Sequence, residues 1–273
     1  MGIGNNEMNN RKNESTLIFN LGLTTFSYTI FNENKVFENL YTSQINQYDT
    51  ELNLQTILKS HEQLQQPFSK CIGSISTNSN TFIPKVLFDP KHITHYINFN
   101  SFKSISTLQL YNEQIFTDCY SIFSIEKKIL KMLKTVSNDL RIKHAASIFV
   151  DYAISLSTKT KDEIFIDLDK KYFQITYIKD SKFIFYNQFK FVNNNEFLYH
   201  YLNCINILNI DLKKININVM SSLEKNHVIF EDIRKYTSNM KFVNRLEAFN
   251  YSNEILKTEE HTNHKLFSQL VCA

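Results

Sequence analysis

The chain has 273 residues, 42% hydrophobic and 21% charged, with a net charge of +3, a balance typical of a globular protein with core enough for about two domains. Through residue 158 there are 14 basic and 13 acidic residues, and after it 16 and 14; neither half is a basic module, so nucleic acid held by counterion release is not an expected partner. Four cysteines form no CxxC pair and no apolar run approaches the roughly 18 residues of a membrane span, so the expectation is a cytoplasmic protein in a reducing compartment, without a membrane span.

Residues 1–14 are polar and Asn-rich, and are expected to be disordered. A first lobe is expected over 15–158. Alternating apolar residues predict strands at 16–23, 25–31 and 35–43. Leu54, Ile57, Leu58 and Leu64 then share one face of a helix over 51–64. Strands follow at 70–76 and 81–88. Asp89-Pro90 reads as the cap and first position of a short helix through Ile97. Strands are predicted at 105–111 and 114–122. Ser124 is the predicted cap of a helix with Ile125, Ile129, Leu133 and Val136 on its core face. A strand at 140–144 and a helix over 146–156 close the lobe. The polar stretch Ser157–Lys161 marks the joint, and a second lobe is expected over 162–273.

The second lobe opens with three strands and a helix over 163–209. In the third strand Phe183, Phe185, Phe189 and Phe191 fall on one face, and Ile184, Tyr186, Gln188 and Lys190 on the other. Lys179–Lys182 is a polar turn. Asn193 caps the helix, with Glu196 as the reciprocal acid, and Leu198, Leu202, Ile205 and Leu208 form its apolar face. A strand at 214–220, a helix over 222–236, a strand at 240–244, a polar loop at 250–260 and a short C-terminal helix complete the reading.

Sliding the chain by 147 positions sets Phe19-Asn20-Leu21-Gly22 on Ile166-Asp167-Leu168-Asp169, Phe26 on Phe173, Thr29 on Thr176 and Lys35 on Lys182. The same order of elements follows in both places. A β-β-β-α unit used twice is a duplicated, two-lobed α/β design.

That repeat resembles the actin-like ATPase (ribonuclease-H-like) fold of actin, sugar kinases, heat-shock chaperones and actin-like pilus-assembly proteins. Over about residues 15–270 the chain also resembles an uncharacterised bacterial family of unknown function with this fold. Ser69–Asp89, Phe165–Phe191 and Tyr199–Asn209 carry that resemblance. In active members of the superfamily, the first hairpin of each lobe carries an Asp-x-Gly turn for phosphate and metal. Here the first hairpin reads Asn20-Leu21-Gly22 and lacks the acid; the second reads Asp167-Leu168-Asp169 and lacks the glycine. The adenosine turn would fall at Val219–Ser222, which has no glycine. The chain holds only Gly2, Gly4, Gly22 and Gly73, and phosphate loops need glycine for positive φ or close backbone approach. The resemblance therefore implies a degenerate cleft, with Asn20, Gly22, Asp167, Asp169 and Lys170 as its vestigial residues. No catalytic residue, cofactor or metal is assigned; ATP with Mg²⁺ is the minor alternative.

Asp167 and Asp169 point the same way on a strand and can share a cation or a proton, with Lys170 and Lys171 beside them to offset the charge. The commoner reading is the polar end of a hairpin. His92 with His95, and His261 with His264, have metal-compatible spacing but no third ligand. Lys127, Lys128, Lys131 and Lys134 form a basic helix face, more often solvated than nucleic-acid-binding. There is no GxSxG, HExxH, Walker or GxGxxG motif. The leading expectation is a non-catalytic actin-like scaffold or interaction module with an unidentified protein partner. The alternatives are a nucleotide binder with atypical loops and a nucleic-acid-associated factor.

Overall fold

The computed structural model describes residues 15–46, 48–98 and 106–272; residues 1–14 and residue 105, the expected start of a strand, lie outside them. The first half runs β1 (Thr16–Leu21), β2 (Thr25–Phe31), β3 (Val36–Phe37), β4 (Tyr41–Gln44), α1 (Thr50–Ser60), β5 (Lys70–Ile75), β6 (Asn80–Pro84), α2 (Ile93–Asn98), β7 (Thr107–Glu113), β8 (Cys119–Glu126), α3 (Lys127–Leu133), β9 (Leu140–His144) and α4 (Ala145–Leu156). The second half runs β10 (Glu163–Asp169), β11 (Tyr172–Lys179), β12 (Lys182–Lys190), α5 (Asn194–Ile207), β13 (Asn216–Ser221), α6 (Val228–Arg234), β14 (Met240–Phe242), β15 (Asn250–Tyr251), α7 (Asn253–Leu256), α8 (His264–Phe267) and α9 (Gln269–Cys272).

The strands build three sheets, ordered β15-β3-β2-β1-β5-β9, β12-β11-β10-β13-β14 and β6-β8-β7, with β4 also on β2. The duplication is exact in register. Leu21 lies opposite Phe26 and Asn20 opposite Ser27 in the first hairpin; Leu168 lies opposite Phe173 and Asp167 opposite Gln174 in the second. Each hairpin then adds a parallel strand, β5 on β1 and β13 on β10. Gly73 has a steric role in that joint: a Cβ there would come within 2.1 Å of the Phe19 ring.

The C-terminal stretch crosses back to the first lobe. β15 pairs parallel with β3, Phe267 packs edge-on against Phe37 at 4.8 Å, and Gln269 Nε2 donates to the Phe19 carbonyl at 2.8 Å. The expected loop at 250–260 therefore contains a strand and α7, with Ile255 fully buried.

Further elements differ from the sequence reading: the strand expected over 81–88 ends at Pro84, that expected over 114–122 runs over Cys119–Glu126, and the helix expected over 222–236 is confined to Val228–Arg234. The strand expected over 35–43 is split, because Asn39 Oδ1 accepts from Ile30 N–H and ends the ladder. Ser124 lies in β8 opposite Gln109, and the helix begins at Lys127; Ile129 and Leu133 are still its buried face. In α5, Asn193 Oδ1 accepts from Glu196 N–H at 3.0 Å and Glu196 Oε2 accepts from Val192 N–H at 2.7 Å. Its buried face is Phe197, Tyr201, Cys204 and Ile205, with Leu198, Leu202 and Leu208 at the margin. In β12, Tyr177 lies opposite Phe185 but Ile178 lies opposite Phe183, so Ile184 bulges. The extra residue inverts the alternation. Phe185 and Phe189 pack into the second-lobe core, while Phe183 joins Tyr186 on the other face.

Candidate functional site: the cleft between the lobes

The repeat places Asn20 on β1 and Asp167 on β10 at equivalent positions, both buried. They meet across a cavity of about 230 Å³ that Asp169, Lys170, Ser222 and Lys265 also line. Gly22 lies apart, on the wall of an open cavity of about 910 Å³. Four of the five vestigial cleft residues are thus brought together.

Asp167 and Asp169 do share a cation, and it is the chain's own. Lys265, at the start of α8, bonds Asp169 Oδ2 and lies 3.4 Å from Asp167 Oδ2. Lys170 and Lys171, the nearer lysines in sequence, are exposed. Ser222 Oγ donates to Asp169, and Gln174 Nε2 donates to Asp167 Oδ2 at 2.7 Å. Burial pushes the Asp167 carboxyl above the usual carboxylate range, with Lys265 opposing. Burial acts on Asp169 in the same direction, but the Lys265 ammonium and the Ser222 hydroxyl outweigh it and hold that carboxyl low. Burial alone would lower Lys265; the two carboxylates more than reverse this and keep it protonated.

The backbone amides around the cleft are largely consumed internally. Gly22 N–H donates to the Thr25 carbonyl at 2.8 Å, and Ser222 N–H to the Leu168 carbonyl at 3.0 Å. Ser221 N–H donates to the His261 carbonyl at 3.1 Å, and Leu223 N–H to Ser221 Oγ at 2.9 Å. No residue of the hairpin turns at 22–24 and 170–171 has a positive φ, so neither turn forms the concave nest that cradles an anion.

Sequence reasoning missed Lys265 and Gln269, and placed Ser222 in the expected adenosine turn without pairing it to Asp169. Gln269 Nε2 reaches Ser74 Oγ at 3.0 Å, and Ser74 Oγ donates to Asn20 Oδ1 at 2.7 Å. This links the C-terminal helices to the first-lobe side of the cleft. The available signal was a polar pair four residues apart, Lys265 and Gln269, in the closing helical segment.

The other constellations are placed elsewhere. His92 and His95 are exposed and stacked, with His92 3.1 Å from Asp89. His261 and His264 are buried: His261 Nε2 donates to the Leu223 carbonyl, and His264 bonds the Tyr152 hydroxyl and the Val243 carbonyl. Among the described residues no group of three His, Cys, Asp or Glu side chains is placed to hold a metal. Lys128 on α3 pairs with Glu51 at 3.4 Å. Among the described residues no helix is long and apolar enough to cross a membrane.

Two lobes built on a duplicated hairpin, meeting at a polar cleft, define the class as the actin-like ATPase fold. Residues 5–240 match a family described as a protein of unknown function (DUF3822), and the chain belongs to it. Among solved structures it is similar to a Bacteroides thetaiotaomicron protein with actin-like ATPase fold and unknown function, with a TM-score of 0.81 and 17% identity over 96% of this chain and 97% of that one. It is also similar to a chain of the PilM–PilN type IV pilus biogenesis complex, with a TM-score of 0.62 and 10% identity over 93% of this chain and 96% of that one. These likenesses concern the fold. No curated protein matches the sequence.

Proposed function

We propose that this chain is a non-catalytic actin-like protein whose work is to bind another protein. The observation that carries the reading is Lys265. Its ammonium sits on both acids of the second-lobe hairpin, where the active members of the superfamily named above hold a metal or its water. Mg²⁺ would have to displace an ion pair already formed. The internal use of the Gly22, Ser221, Ser222 and Leu223 amides supports the same reading, as does the absence of positive φ in both turns. PilM, which shares the fold, takes part in a complex with PilN, and that supports an interaction role for the frame.

The rival reading, a nucleotide binder with atypical loops, has the polar cavity itself in its favour. Thermal unfolding with ATP and Mg²⁺ separates the two. Ligand at 100 times its Kd adds about 2.7 kcal/mol, roughly 5–10 °C in Tm for a protein of this size. The expected result is an unchanged Tm; a rise specific to one nucleotide would establish the rival.

A further inference from the structure

Among the described residues β12 and β6 each keep one edge with no strand paired to it, and the two edges line an open groove of about 610 Å³. β12 is the outer strand of its sheet and β6 the outer strand of the small sheet. The groove is lined by Asn80 and Phe82 from β6, and by Ile184, Tyr186, Gln188 and Lys190 from β12. Side chains hold the two edges in place: Phe82 lies 5.2 Å from the rings of both Phe183 and Tyr186, and Gln188 Nε2 donates to the Thr77 carbonyl at 3.0 Å.

An edge strand presents a row of N–H and C=O groups to any chain that can lie beside it. In β12 the Phe191 N–H points inward, to the Lys171 carbonyl. Residues 186, 188 and 190 therefore turn their backbone groups outward, by the alternation of an antiparallel strand. The Gln188 N–H donates to the neighbouring Asn187 Oδ1 at 2.8 Å and to no strand among the described residues. An edge left open in this way is what an added strand would pair with.

We infer that this groove takes an extended segment of a partner protein, added as a strand to β12 and bearing acidic residues at its ends. Lys182 and Lys190 are exposed at the two ends of β12, and no acidic side chain lines the groove. The same lysines argue against a second copy of this chain. Antiparallel self-pairing of β12 would bring the Lys182 end of one copy beside the Lys190 end of the other, and like charges brought together destabilise a ladder. The inference rests on the interaction reading above and gives the partner its chemistry. A nucleotide-specific rise in Tm would overturn that reading and leave the groove undecided; the peptide experiment decides the groove alone.

The test titrates the isotope-labelled full chain with the capped peptide Glu-Val-Thr-Val-Thr-Val-Thr-Val-Glu. Controls are the same peptide with lysine at both ends and two versions N-methylated at alternate residues, one in each phase. Amide shifts are expected within 80–84 and 182–190. Binding should weaken at least about tenfold with lysine ends, the scale of one charge-assisted hydrogen bond, and by a similar factor with one phase of N-methylation, which removes several backbone donors at once. Lys190→Glu, at an exposed site that leaves the fold intact, should reduce the preference for acidic ends. Absence of binding, equal affinity for both end charges, indifference to both N-methylated phases, or shifts confined to other surfaces would each overturn the proposal.

Discussion

Asp167 and Asp169 lie side by side in the cleft, and Lys265 stands against both. Truncating one partner of such a group leaves uncompensated buried charge, which costs far more than the net worth of the pair. Lys265→Met is expected to destabilise the protein by about 3–5 kcal/mol at neutral pH. Without the ammonium both carboxyls move upward, so the variant takes up protons in the folded state first, and its deficit shrinks as pH falls into the carboxylate range. Urea midpoints of parent and variant at neutral and mildly acidic pH measure this; a deficit independent of pH would mean that Lys265 acts by packing alone. Asn20, at the equivalent place in the first hairpin, bears no charge and is served by the Ser74 hydroxyl. The two halves of the repeat have thus diverged into a neutral side and an ion-paired side.

At the scale of elements, the hairpin between β11 and β12 turns on Asp180 and Ser181, with φ of 49° and 58°. Two successive left-handed residues suit the right-handed twist of a two-residue hairpin, where Asn-Gly is the favoured pair. Ser181→Gly removes the Cβ penalty at one of them and is expected to stabilise by about 1 kcal/mol, read as an upward shift of Tm; a fall would mean that the Ser181 hydroxyl contributes more than the strain. The turn itself was legible from its polar residues. The bulge at Ile184 was not, because a strand's own alternation carries no record of which partner residue lies opposite. The late start of α6 has a similar cause. The Ser221 and Ser222 amides donate to the carbonyls of His261 and Leu168, and His227 supplies the cap through Nδ1.

For the whole molecule, acid is the expected weakness. His144 caps α4, its ring nitrogens lying 3.2 Å from the Ala146 N–H and 3.0 Å from the Thr77 N–H; the neutral ring has one acceptor nitrogen to offer them, and protonation removes it. Burial lowers its pKa to about 3, and burial lowers that of His264 to about 4. The unfolded chain binds these protons first, near pH 6.5. The stability they contribute is complete above that value and drains away as pH falls through it toward 4 and 3. Urea midpoints measured from neutral pH downward should fall steadily across that window. His144→Asn, which keeps a cap acceptor, should flatten part of the slope; an unchanged slope would count against His144. Both histidines sit at junctions: His144 joins β9 to α4, and His264 ties α8 to Tyr152. Titration of His144 therefore loosens the start of α4, and titration of His264 loosens the contact of α8 with α4.

The sequence by itself determined the duplicated hairpins, most of the strands and longer helices, and the poverty of glycine at the phosphate turns. Each of these is written in local periodicity, in residue type or in the repeat. Only the tertiary structure decided what fills the cleft. Lys265 meets Asp169 across 96 positions of sequence, after α8 and α9 have crossed back beneath the first sheet. No local pattern encodes which of 30 basic residues will arrive there. The same holds for β6 and β12, whose free edges become one groove only when the lobes are assembled.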